Sequence, residues 1–191
     1  MVSRIRQPRP FEVAPVHFRH SGEWQPLDDA TLAAWEGQGR RLPEEYRSFL
    51  MRFNGCNIRP YCIPCSDPRL GPENAGSLVV EVLYDWEYVL EKSEVSSGES
   101  RCKPPGFLVI GTTSAQWDIL LGFEESNFGE IRVFPYEWDP DRYLSWMEEL
   151  GSGIILASSF LEFLDLLVTR DYSSYWWAID LEGEKGQTVE I

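Results

Sequence analysis

The chain has 191 residues, 43% of them hydrophobic, and a formal net charge of −14 at pH 7. That is enough apolar material for one buried core, with eight Trp, eight Tyr and ten Phe to fill it or to anchor a partner. No apolar run approaches the ~18 residues of a membrane span. So acidic a chain also suits nucleic acid poorly, because phosphate binders need Lys and Arg to displace condensed counterions.

The charge is unevenly placed. Residues 1–60 hold nine Arg against seven acids, net +2, whereas residues 61–191 hold eight Lys or Arg against twenty-four acids, net −16. An acidic face of this kind steers a basic protein partner; the plainer alternative is that it only aids solubility. The basic first ten residues have no apolar stretch behind them, so no signal peptide is expected and the location follows as cytoplasmic.

Residues 1–27 read as an irregular lead-in broken by Pro8, Pro10, Pro15 and Pro26, with Phe11, Val13, Val16 and Phe18 offering a short edge strand. A short helix follows over residues 28–36, N-capped by an Asp, stopped by Gly37 or Gly39 and turning Leu32 and Trp35 inward. Residues 42–55 form the strongest helix. Pro43 suits its first position, Glu44 and Glu45 favour the positive end of its dipole, and Tyr46, Phe49, Leu50 and Phe53 make one apolar stripe. Asn54-Gly55 closes it, with Gly55 free to turn left-handed.

Residues 56–76 are loop-rich, with a short strand around 58–63. Residues 78–88 alternate apolar and acidic with period two and predict a strand with one wet face; alternatively, Asp85 caps a helical turn through Val89 and Leu90. Residues 93–105 read as an exposed polar loop. Three short strands follow, over 107–111, 116–123 and 130–136, too closely linked to be anything but antiparallel. Asp139-Pro140 opens a helix with Tyr143, Leu144, Met147 and Leu150 on its face and Gly151 at its end. Ser159 and Glu162 form a capping box for a last helix whose stripe is Phe160, Phe163, Leu164 and Leu167. Residues 172–191 hold a strand-like piece over 175–181 and a charged tail.

Chemistry finds little to use. Cys62-Ile-Pro-Cys65 has the C-x-x-C spacing of zinc and thiol-redox sites, and His17-x-x-His20 is a second pair on paper. Pro64, Pro68 and Pro72 forbid the helix a thioredoxin-like site needs, so the cysteines, Cys56 and Cys102 included, read as reduced incidental thiols. No phosphate loop, nucleophile elbow or dinucleotide fingerprint is present. No metal and no cofactor are expected.

Three blocks of the sequence resemble the SMI1/KNR4 (SUKH) family. The first is Leu-Pro-x-x-Tyr-x-x-Phe-Leu-x-x-x-Asn-Gly over 42–55. The second is the strand cluster from Leu108 through Trp117-Asp118 to Ile131, and the third is Ala157-Ser-Ser-Phe-Leu-Glu-Phe-Leu164. The resemblance implies an α+β fold, a central, mostly antiparallel sheet flanked by N-terminal and C-terminal helices. It implies one domain over 1–191, with a core of about 28–170 and an extension over 171–191, and no catalysis. Bacterial members are commonly immunity proteins that neutralise a toxin domain; fungal members act as regulators through protein partners.

Three acidic–aromatic clusters stand out, Asp85-Trp86-Glu87-Tyr88, Gln116-Trp117-Asp118 and Tyr136-Glu-Trp138-Asp139, and the candidate partner-binding residues are Asp85, Glu87, Glu124, Glu125, Trp138, Asp139 and Asp141. Trp86 and Trp117 are better read as core, and Trp138 as the exposed anchor. The reading is a non-enzymatic immunity protein that occludes a basic toxin domain. The alternatives are a regulatory scaffold and a small zinc protein using Cys62 and Cys65.

Overall fold

The computed structural model describes residues 25–57, 61–65, 67–70, 76–93, 103–136 and 140–169. The lead-in up to residue 24, the strand-like piece over 175–181, His17, His20, Cys102, Trp138 and Asp139 lie outside the described residues.

Helix α1 (Asp29–Glu36) begins where an aspartate can cap it: the Asp28 carboxylate accepts from Thr31 N–H at 2.7 Å. Leu32 and Trp35 are its buried face, as their spacing predicts. Helix α2 (Glu44–Arg52) buries Tyr46, Phe49 and Leu50, with Phe53 beyond its end. Pro43 stands one position outside the expected place: its ψ of 137° is extended, and its carbonyl accepts the first helical bond from Arg47 N–H at 2.9 Å. Arg47 ties the two helices together, meeting Asp29 and, at 3.4 Å, Glu36, whose other oxygen accepts from Leu42 N–H.

The sheet follows. Strands β1 (Cys56–Asn57) and β2 (Tyr61–Cys65) both pair with β3 (Gly76–Leu83). Of the strand expected around 58–63, residues 61–63 lie in β2, and residues 58–60 are not described. A 3-10 turn, Pro68–Leu70, precedes β3. Then β3 stops at Leu83 and α3 (Trp86–Ser93) begins, so the alternating pattern through residue 88 is not all strand. Two side chains cause the switch: Asn54 accepts from Trp86 N–H and Asp85 from Tyr88 N–H, each at 2.9 Å. Ser93 is buried rather than part of a polar loop; its hydroxyl accepts from Val109 N–H where β3 no longer covers that strand.

Strands β4 (Phe107–Thr113), β5 (Trp117–Gly122) and β6 (Ile131–Pro135) form the expected antiparallel centre. Helix α4 (Pro140–Leu150) leads to β7 (Ile154–Ala157), and α5 (Phe160–Asp165) to β8 (Val168–Thr169); neither β7 nor β8 is predicted from the sequence. Among the described residues the order is β7-β6-β5-β4-β3-β2-β8, with β1 also beside β3 and every pairing antiparallel. The result is an α+β fold.

Period-two alternation divides the core between the sheet faces. Leu108, Ile110, Ile119, Leu121, Ile131 and Val133 join α1, α2, α3 and α5 in the larger cluster. Phe107, Val109, Leu120 and Phe134 point the other way and receive Tyr143, Trp146 and Met147 from α4. Leu144 is 58% exposed, contrary to the expected helix face, because it lies about 100° round the helix from Tyr143. In α5 the Ser159 hydroxyl accepts from Glu162 N–H as expected, but the Glu162 carboxylate reaches back to Ser158, accepting from its N–H at 2.8 Å and from its hydroxyl.

Candidate functional site

Strands β3 and β5 run toward the end of the sheet from which β4 starts, since both are antiparallel to it. The chain after β3 (Asp85) and the chain after β5 (Glu124) therefore emerge at one end. Trp35 gathers them. Its ring meets Trp86 edge-on at 5.4 Å and Phe123 edge-on at 5.8 Å, and the Arg40 guanidinium lies 5.2 Å over its face.

Asn54-Gly55 builds one side of this end. Asn54 takes a left-handed φ of 43°, donates to Gln25 C=O at 3.1 Å and caps α3 through Trp86 N–H. Gly55, at φ 94°, lets the backbone pass so close that a Cβ there would sit 2.5 Å from Asp85 N. The closing dipeptide of the first motif thus locks α2 to α3 and sets the position of Asp85.

Asn127 fixes the other side. Buried, it accepts from Glu124 N–H at 3.0 Å and donates to Gly106 C=O at 3.1 Å, so the turn after β5 is pinned to the turn before β4. Gly122 packs flush against it; a Cβ there would meet Asn127 O at 2.0 Å. Between this loop and the α1–α2 turn opens a groove of about 650 Å³, lined by Arg40, Arg41, Phe123, Glu124, Glu125 and Phe128. The Arg41 guanidinium lies 5.1 Å over the Phe128 ring. Nearby, Lys103 donates to Phe107 C=O at 2.9 Å; burial lowers its ammonium pKa and Arg40 adds to that, while Glu124 opposes it.

The structure therefore brings Asp85, Glu87, Glu124 and Glu125 to one end, all exposed. Asp141 is exposed too, but on α4, which packs on the other face of the sheet. Trp86 and Trp117 are core, 3% and 7% exposed, as predicted. Asp118 is not one of the wet acids: it is 2% exposed within β5. Arg40, Arg41, Phe123 and Phe128 were not singled out from the sequence. Their available signal is an Arg pair beside Gly37 and Gly39, and a loop bounded by Gly122 and Gly129, in a chain otherwise short of cations.

Among the described residues the C-x-x-C pair gains no metal-binding geometry. Cys62 and Cys65 sit three apart on β2, whose register against β3 runs unbroken, so their side chains leave opposite faces of the strand. Among the described residues no three His, Cys, Asp or Glu side chains are grouped to hold a metal. Burial pushes the Cys56 thiol well up, and pushes the Tyr46 phenol up with smaller contributions from Cys56 and Asp85, so both stay protonated at neutral pH.

The model of the SMI1 / KNR4 family (SUKH-1) matches residues 26–166, most of the chain. The chain belongs to this family. No curated protein and no solved structure matches it. The match spans the elements that build the site, from Trp35 and Arg40 on the α1 side to Asn127 on the loop after β5. Membership supports a protein-interaction role for this SUKH chain. No helix among its described residues is long and apolar enough to cross a membrane.

Proposed function

We propose that this SUKH chain is a non-enzymatic immunity protein of the cytoplasm that binds and neutralises a basic toxin domain. What carries the reading is the exposure of Asp85, Glu87, Glu124 and Glu125 at one braced end of the sheet. Their backbone is held by Asn54, Gly55 and Asn127, so little order has to be created on binding. Inhibition is steric: the acidic end covers the toxin's active surface, and its carboxylates occupy positions where a nuclease would hold phosphates. Acids at the rim speed encounter, and packed aromatics behind them keep the surface in shape.

The test is co-expression with the C-terminal domain of a large secreted protein encoded beside this gene. Rescue of the host together with a stable complex supports the reading. A toxic domain that this chain neither binds nor neutralises overturns that pairing, and a harmless one would favour a regulatory scaffold.

A further inference from the structure

We infer that the groove between the α1–α2 turn and the loop after β5 is a receptor for a short peptide segment carrying one acidic and one basic side chain. This rests on the reading of that end as a protein-binding surface and adds the chemistry of what it holds. Its volume of about 650 Å³ lies within the ~300–1,000 Å³ of sites that enclose small ligands. Its lining carries both charges, Arg40 and Arg41 from the α1–α2 turn and Glu124 and Glu125 from the loop after β5.

Arg41 and the two carboxylates do not satisfy one another. Among the described residues the side chains of Arg41, Glu124 and Glu125 make no hydrogen bond and no ion pair. Arg41 instead lies flat over Phe128, which leaves the N–H edge of its guanidinium for a carboxylate. In the same lining, two carboxylates and the Phe123 and Phe128 rings suit a guanidinium or ammonium with an aliphatic stem. An all-basic segment would meet Arg40 and Arg41, with Lys103 behind them, and an all-acidic one would meet Glu124 and Glu125. A mixed segment meets a complementary charge at each end. The loop geometry is preset, because Asn127 holds the acidic side by both ends of its amide.

The experiment is an NMR titration of the full chain with three capped tripeptides, Glu-Gly-Arg, Arg-Gly-Arg and Glu-Gly-Glu, following the resonances of Phe123, Phe128 and the Trp35 indole. Glu-Gly-Arg is expected to bind best, by at least about fivefold. In Arg41→Glu the groove carries three carboxylates against Arg40 alone, so Arg-Gly-Arg should become the best binder of the three. A folding defect would weaken all three alike and could not exchange their order. No response to any tripeptide, an unmodified groove that prefers Arg-Gly-Arg, or an order unchanged by Arg41→Glu would overturn the proposal. Those results would leave the wider acidic surface to be judged separately by whether the toxin domain binds.

Discussion

At the scale of single residues, Asn54 and Gly55 have the largest structural consequences. Asn54→Ala removes the cap on α3 and the bond to Gln25 C=O, and should cost about 1–2 kcal/mol in chemical denaturation. Gly55→Ala should cost more, upwards of about 2 kcal/mol, since it combines a left-handed φ with a collision against Asp85 N. Glu162 supplies a pH signature. Its hydrogen bonds from the Ser158 hydroxyl and N–H hold its carboxyl below the ordinary 4.5. A depressed folded pKa means that the contribution is fully present above the ordinary value and is lost as pH falls through the folded one. The stability gap between the unmodified chain and Glu162→Gln should therefore be open at neutral pH and close as pH falls below the ordinary 4.5 and through the lowered value. A gap constant across that range would show that the Ser158 bonds do not set it.

At the scale of elements, helices with a cap and a stripe were legible and short strands were not. Asp28 with Leu32 and Trp35, and Ser159 with Phe160 and Phe163, announce α1 and α5 almost to the residue. β7 escaped because four apolar residues between Gly153 and Ser158 carry neither alternation nor length, and it is pairing with β6 that makes them a strand. The boundary between β3 and α3 is ambiguous in the sequence because the second cap comes from Asn54, thirty-two residues away. The groove was illegible for the same reason: Arg41 and Phe128 meet only in the folded chain. A prediction at this scale concerns the α1–α2 pair. Glu36→Ala leaves Arg47 with Asp29 alone as its carboxylate partner and frees Leu42 N–H, and should destabilise the protein by about 1 kcal/mol in a denaturant titration. An equal stability would show the clamp to be ornamental.

At the scale of the whole molecule, the division of charge has a structural meaning. The basic N-terminal part contributes Arg40 and Arg41 to an end otherwise edged by acids. Neutralising that edge with Asp85→Asn, Glu87→Gln, Glu124→Gln and Glu125→Gln should leave stability almost unchanged, as Asn still caps α3. The same variant should associate several-fold more slowly with a basic toxin domain and with a shallower dependence on salt. Asp141→Asn, on the opposite face of the sheet, should change association less than the edge variant does.

The most direct measurement of the binding face is amide hydrogen exchange on the chain alone and in complex with the toxin domain proposed as its partner. Protection is expected to concentrate at the β4-start end of the sheet, over Arg40 and Arg41, residues 85–87 and residues 123–128. Protection confined to the opposite end, or to α4 alone, would contradict it and move the interface off the acidic edge.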